Sequence, residues 1–184
     1  MASLKYTILG FLSYAPMTGY EISKKFFRFV RPAMSQIYRN LNAMADEGLV
    51  KSERIEQEKL PSRNKFEITA AGRRELKRWV KEPPVHNGER EPIILKLWFG
   101  SRVSKKELIS SLEVYSKVVE EELKFRKTEA RSAIQKGLQD FASPMDRLYW
   151  NLANDYAIWR LESFLEWKEN AKIKIKGFKE SDRV

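Results

Sequence analysis

Leu4, Ile8, Leu9 and Leu12 recur at helical spacing until Tyr14-Ala15-Pro16 interrupts them, which predicts a first helix ending there. Thr18-Gly19-Tyr20-Glu21 then fits a capping box, in which the Thr18 hydroxyl accepts from the N–H three residues on and Glu21 reaches back. A second helix starts at Gly19, turns Ile22, Phe26, Phe27 and Val30 inward, and stops before Pro32, which disfavours helical geometry at Arg31. A third follows after a few residues. On its wheel Ile37, Leu41, Met44 and Ala45 share one side, while Ser35, Gln36, Arg39 and Asn42 share the other. Gly48-Leu49-Val50 ends that helix and leads straight into a strand. Val50 to Glu56 and Arg63 to Thr69 read as two strands about the polar connector Gln57 to Ser62, with Phe66 and Ile68 alternating against Lys65 and Glu67. A fourth helix, roughly residues 71–81, offers Leu76, Trp79 and Val80 to the core.

Glu82-Pro83-Pro84-Val85-His86-Asn87-Gly88 breaks the pattern and marks a junction. Beyond it Ile93 to Phe99 is short and almost wholly apolar, so something must cover it. Ser104-Lys105-Lys106-Glu107 is a second capping box, opening a helix with Leu108, Leu112, Tyr115, Val119 and Leu123 stacked three or four apart. Its course through Ala130, Ile134 and Leu138 predicts a helix of about nine turns. The last helix runs from Ser143-Pro144, an N-cap followed by proline, to about Lys172. It carries two apolar ridges, Leu148-Leu152-Tyr156-Trp159 and Trp150-Ala157-Leu161-Leu165, with Phe164 and Trp167 beside them. One packed neighbour needs only one ridge. The second points to another copy of the chain, the alternative being a thick monomeric bundle.

The order of elements describes a mainly α protein. Residues 1–82 form an N-terminal winged helix-turn-helix with a two-stranded wing, and residues 89–184 form a C-terminal long-helix dimerisation domain. Charge sharpens the reading. The chain has 35 Lys+Arg against 25 Asp+Glu in 184 residues, net +10. Residues 1–80 hold 15 of the basic and 8 of the acidic side chains, so the positive field belongs mainly to the winged-helix half. Ser35, Gln36, Arg39 and Asn42 are short or fork-shaped hydrogen-bonding groups that match base edges in a major groove. Tyr38 lies at the edge of that face. Its hydroxyl, together with Tyr20, Lys24 and the first N–H groups of helix two, suits phosphates. Lys59, Arg63 and Lys65 on the hairpin suit the phosphate backbone as well, against the reading of an ordinary solvated hairpin.

Other chemistry finds little support. The absence of cysteine excludes disulfides and thiolate metal sites, and His86 is the only histidine. No catalytic constellation, Gly-rich phosphate loop, metal or cofactor site is legible. No stretch approaches the roughly 20 apolar residues of a membrane span, which predicts a cytoplasmic protein. Trp98, Tyr149, Trp150, Trp159 and Trp167 supply aromatic surface beyond the needs of a short bundle. Core and interface packing accounts for it, and so does a pocket for a small aromatic effector, with Trp98 and Trp150 as candidates.

Several of these stretches, in order and spacing, resemble the PadR family of transcriptional regulators. They are Leu4 to Leu12, Thr18-Gly19-Tyr20-Glu21-Ile22, Ser35-Gln36-Ile37-Tyr38, Gly48-Leu49-Val50, Arg63 to Gly72 with Leu76 and Trp79, Glu91-Pro92, and Leu95-Lys96-Leu97-Trp98-Phe99. The helices after Ser104 look like the variant with an extended C-terminal domain. The resemblance implies a dimeric DNA-binding repressor, often released by a small molecule. Where the family commonly has proline after Ile-Tyr, this chain has Arg39, an added donor. Its hairpin, Lys59-Leu60-Pro61-Ser62-Arg63, departs from the family's Gly-Arg or Lys-rich tips. Two such chains pairing through Leu112, Tyr115, Val119, Leu152, Tyr156 and Trp159 would present two recognition helices to successive major grooves of a palindromic operator. The other function class left open is a winged-helix module that binds a protein without specific DNA binding.

Overall fold

Eleven hydrophobic side chains from six elements meet in the N-terminal half, and their burial explains where each element lies. The computed structural model describes residues 2–25, 32–57, 60–84, 92–136 and 143–179. Helix α1 (Ala2–Tyr14), strand β1 (Met17–Thr18), helices α2 (Gly19–Lys25) and α3 (Met34–Asp46), strands β2 (Val50–Gln57) and β3 (Leu60–Ile68) and helix α4 (Ala70–Lys81) make up this half. Ile8, Leu9 and Leu12 of α1, Met17, Ile22 of α2, and Ile37, Leu41 and Met44 of α3 close on Val50, Phe66 and Ile68 of the sheet. The expected positions Phe26, Phe27 and Val30, the hairpin residues Glu58 and Lys59, His86 and Leu138 lie outside the described residues.

The sheet has a third strand that the pattern of the chain did not suggest. Met17 and Thr18 pair antiparallel with Phe66 and Lys65, giving the order β1-β3-β2. Two residues are too few for an alternation to register. The wing strands are also longer than expected, because pairing continues from Ile55↔Arg63 to Gln57↔Leu60. The register shifts between those pairs, where Pro61, which has no N–H to give a ladder, enters β3.

Helix ends follow local chemistry closely. Thr18 N–H and Oγ donate to Glu21 Oε2 (2.7 and 3.0 Å), and Glu21 N–H donates back to Thr18 Oγ (3.2 Å). Ser104 with Glu107 and Ser143 with Asp146 repeat the arrangement. Helix α3 ends at Gly48, whose φ of +70° suits a residue without Cβ; Leu49 N–H returns to Met44 O (2.8 Å) and Gly48 N–H to Ala45 O (2.9 Å). The start of α4 is bolted to this corner. Thr69 N–H donates to Leu49 O (3.0 Å), Thr69 Oγ lies 2.8 Å from Gly48 O, and Gly72 N–H donates to Thr69 Oγ (3.1 Å). A Cβ on Gly72 would stand 2.2 Å from Leu49 O, so only glycine fits.

Helix α4 corrects two expected core contacts. Leu76 packs on the core, but Trp79 instead stacks on Tyr6 of α1 (4.6 Å between centroids, 8° between planes), and Val80 is 68% exposed. Val80 follows Trp79 by 100° around the helix and so faces solvent. Beside the stack, Glu75 accepts from Tyr6 OH (2.8 Å) and from Arg78 Nε and Nη2 (2.9 and 2.7 Å).

The residues from Asn87 to Val184 form a second compact unit, distinct from the first, Met1–His86. It contains α5 (Pro92–Trp98), α6 (Lys105–Phe125), a π-helical turn (Arg126–Ala130), α7 (Arg131–Lys136) and α8 (Pro144–Gly177). Helices α6 and α8 lie antiparallel: Glu113 meets Lys168 (3.5 Å) and Lys172, Lys127 meets Glu162 (2.5 Å) and Arg131 meets Asp155 (3.0 Å). Tyr115 and Phe164 pack edge to face between them (5.1 Å, 89°). The helix expected through Ala130 and Ile134 runs on to Lys136 and contains a π-helical turn at Arg126–Ala130. Asn154 Nδ2 donates to Arg126 O (3.1 Å) and Thr128 Oγ to Lys124 O (2.8 Å), side-chain bonds that draw carbonyls off the α-helical ladder.

The Glu75 cluster makes stability depend on acid. Hydrogen bonds from Arg78, then from Tyr6, hold its carboxyl at about 2, against 4.5 for an unperturbed glutamate. A carboxyl depressed in the folded state stabilises fully above about pH 4.5, and that contribution is lost as pH falls toward 2. In thermal melts, Glu75→Gln should flatten the fall in Tm between pH 4.5 and 2; an unchanged slope would deny the cluster this role.

Candidate nucleic-acid interface

Burial of Ile37, Leu41 and Met44 turns the opposite side of α3 outward as a consequence of helical geometry. Ser35, Gln36, Tyr38, Arg39 and Asn42 are all exposed. Ser35, Arg39 and Asn42 make no side-chain hydrogen bond with the described residues, so their donors and acceptors are available to an outside partner. Gln36 is different. Its Oε1 accepts from Ala33 N–H (3.2 Å) at the start of the helix, which leaves its amide donors but takes the acceptor needed for bidentate pairing with adenine.

Tyr38 lies across the start of α2. Its ring sits where a Cβ on Gly19 would be, 2.7 Å from the ring's Cζ and 3.0 Å from its hydroxyl. Gly19 thus lets Tyr38 settle on the α2 N-terminus, linking the two helices of the motif. The sequence pattern marks Gly19 only as a helix start; its place three residues before Ile22 gives no signal of this contact. Lys24 Nζ lies 4.4 Å above the exposed Tyr20 ring, so these two side chains form one cation–π unit.

The N–H groups opening α2 are expected to suit a phosphate. That of Glu21 donates to Thr18 Oγ, while the Glu21 carboxylate accepts from the Thr18 N–H and then the Thr18 hydroxyl, which hold it below the usual range. This carboxylate beside the helix start opposes a phosphate there. On the wing, Arg63 is exposed and Lys65 half-buried, standing opposite Ile55 and Glu53 respectively. Lys59 falls outside the described residues.

In the C-terminal unit the two ridges of α8 separate. Trp150, Ala157, Leu161 and Leu165 are half-buried, flanking buried Asn154 and Ile158. The other ridge stays open: Leu148 51%, Leu152 55%, Tyr156 62% and Trp159 60% exposed, with Met145 and Tyr149 alongside. Leu112 and Val119, expected at a dimer interface, are instead buried within the chain, and Tyr115 is engaged by Phe164. The apolar segment Ile93 to Phe99 buries Ile93 but leaves Leu95, Trp98 and Phe99 exposed. Of the effector candidates, Trp98 is exposed and Trp150 half-buried. A cleft of about 410 Å³ between α5 and α6 is lined instead by Ile93, Val114, Tyr115 and Val118, with Lys96 and Ser111.

Two family descriptions match the chain. The first, the transcriptional regulator PadR-like family, covers residues 8–78, and the second, virulence activator alpha C-term, covers residues 89–176. Residues 8–78 thus carry a PadR-like domain of transcriptional regulators. The chain is 30% identical over 112 residues to the negative transcriptional regulator PadR of Bacillus subtilis. That alignment takes in 58% of this chain and 62% of the relative, so it spans less than two thirds of the relative's length. The crystal structure of Bacillus subtilis PadR in complex with operator DNA matches with a TM-score of 0.78 at 25% identity, over 95% of this chain and 98% of that one. The same protein in complex with p-coumaric acid matches with a TM-score of 0.70, at 25% identity, over 94% of this chain and 98% of that one. The matches run through both units. Among its described residues, no helix is long and apolar enough to cross a membrane.

The Gly19–Tyr38 contact makes a separable prediction. Gly19→Ala would meet only the far end of a side chain that can swing aside, so the fold should melt within a few degrees of the parent. The displaced Tyr38 hydroxyl should weaken duplex binding severalfold in a fluorescence-anisotropy titration. Unchanged affinity would show that Tyr38 has no part in binding.

Proposed function

We propose that this protein is a dimeric, sequence-specific DNA-binding transcriptional regulator acting in the cytoplasm, and a repressor whose hold on DNA is released by a small aromatic molecule. The observation that carries the reading is the outward face of α3. Ser35, Arg39 and Asn42 stand one turn apart on a helix locked by its buried side, exposed and unused by the described residues. Arg39 offers a fork of donors for guanine O6 and N7, Asn42 an amide for adenine, and Ser35 a hydroxyl for either. Tyr20, Lys24 and Tyr38 flank this face as phosphate contacts, with Arg63, Lys65 and Lys59 on the wing; such contacts set register without selecting sequence. The excess of basic side chains in residues 1–80 favours a polyanion over a neutral protein partner.

The open ridge of α8 supports pairing. Leu148, Leu152, Tyr156 and Trp159 recur at helical spacing as one exposed apolar stripe, which a second copy of the same helix can cover symmetrically. A two-fold dimer carrying two α3 helices calls for a palindromic operator with half-sites about 34–36 Å apart. Release by an effector rests on the exposed aromatic surface of the C-terminal unit and on likeness to a protein solved with p-coumaric acid.

Selection of bound sequences from a random duplex library at physiological salt, with the mass in solution measured on the same preparation, tests the reading. A dimer enriching a two-fold motif is expected. Arg39→Ala should then relax one position of each half-site, a discrimination of about 1–3 kcal/mol, while leaving the others intact. No enrichment, with binding of a protein partner instead, would overturn it. Leu152→Asp combined with Trp159→Asp should shift the mass to that of one chain and lower affinity for the full palindrome; a mass unmoved by both charges would remove α8 from the interface.

A further inference from the structure

Charge in the C-terminal unit is gathered at one end. The ion pairs of Glu113 with Lys168 and Lys172, Lys127 with Glu162 and Arg131 with Asp155 fix α6 and α8 antiparallel, so the start of α6 lies beside the end of α8. Lys105 closes this end: its Nζ donates to Phe178 O and stands 5.5 Å from the centre of the Phe178 ring. Arg102, Lys105 and Lys106 thereby share it with Lys174, Lys176 and Lys179, and all six are exposed. Glu107, one residue further into α6, is engaged by the Ser104 N–H and hydroxyl. The helices inward of these cations are close to neutral, with 11 acidic and 10 basic side chains over 107–136 and 144–172. Arg102, Lys106, Lys174 and Lys176 form no ion pair with the described residues. Glu180, Asp182 and Arg183, which follow in the chain, lie outside them.

Helix electrostatics accounts for only part of this. Lys174 and Lys176 complement the negative end of α8, but Lys105 and Lys106 occupy the first two positions of α6, the positive end of that helix, where cations are disfavoured. Like charges brought together from two helices also repel, and a polyanion relieves that repulsion while releasing its own counterions. We propose that this end of the C-terminal unit is a second DNA-binding surface, which holds the phosphate backbone of duplex DNA without reading bases. The proposal rests on the DNA-binding reading above, since the duplex held by α3 is the polyanion at highest local concentration. The lysines act on phosphate as point charges, and the Arg102 guanidinium can take two phosphate oxygens at once. An anionic lipid surface is the competing partner, because Ile173 and Phe178 are exposed among the cations. Around α8, however, Ile173 falls between Lys174 and Lys176, so no apolar face stands apart from the charges as a lipid surface requires. Contacts to phosphate strengthen binding to every sequence alike, and the choice of operator stays with α3.

The test uses the full chain, a random-sequence duplex and a long duplex bearing the motif selected above, each titrated over a range of salt. Lys174→Gln combined with Lys176→Gln should reduce the slope of log affinity against log salt by about 2, since each phosphate contact contributes about 0.9. Binding at physiological salt should weaken severalfold on both duplexes, with the enriched motif unchanged. Lys117→Gln combined with Lys124→Gln removes the same charge from exposed positions nearer the middle of α6 and should leave the slope in place. Glutamine keeps the helix propensity of lysine, so both double variants should melt with the parent. A slope unmoved by the first pair, or reduced equally by both pairs, overturns the proposal and leaves the α3 reading standing. Binding to phosphatidylserine vesicles that is lost with the first pair, while the DNA slope stays intact, overturns it in favour of lipid. If no motif is enriched, the α3 reading falls, and a slope reduced by the first pair alone still upholds this surface.

Discussion

One contact ties together the elements on which the N-terminal unit depends: the seat of Thr69 and Gly72 against the carbonyl oxygens of Gly48 and Leu49. The end of α3, the start of β2, the end of β3 and the start of α4 all pass through it. Because Gly72 admits Leu49 O where a Cβ would stand, the chain leaving the wing is held against the chain entering it. The pitch of α3 against the hairpin follows from that corner and from the core beneath. A helix fixed in this way can present Arg39 and Asn42 without loss of ordering entropy on binding, since the scaffold has already met that cost.

The same economy separates the two ends of the α2–α3 motif. Glu21 is engaged by the Thr18 N–H and hydroxyl, and the side chains that stand exposed around the start of α2 are Lys24 over Tyr20 and Tyr38 over Gly19. Contacts made by side chains can move with a substitution while the fold stays in place. On the wing, one face carries the cross-strand Lys51–Glu67 pair and the other ends in exposed Arg54 opposite exposed Asn64.

In the C-terminal unit a different constraint operates. The α6–α8 pair is sewn along its length by Lys–Glu and Arg–Asp pairs, yet two helices can bury only one ridge each. Buried Asn154 and Lys168 on α8 show how far polar groups enter this seam, and the π turn at Arg126–Ala130 is where the backbone yields to Asn154. The remaining ridge of α8 is left outward because nothing else in the described chain reaches it.

Much of this was determined by the sequence alone. Capping boxes at Thr18, Ser104 and Ser143, the glycine stop at Gly48 and the inward faces of α1 and α3 are local, set by hydrogen bonds and spacing within a few residues, so they read directly from the chain. The outward face of α3 was legible for the same reason, as the complement of a buried stripe. Tertiary structure decided what depends on distant neighbours. The pairing of Met17 with Phe66, the outward turn of Val80, the stacking of Trp79 on Tyr6, the intrachain burial of Leu112 and Val119, and the register that puts Arg54 opposite Asn64 each need a partner tens of residues away. No periodicity within one segment encodes which face another segment will cover, because that choice is made by packing.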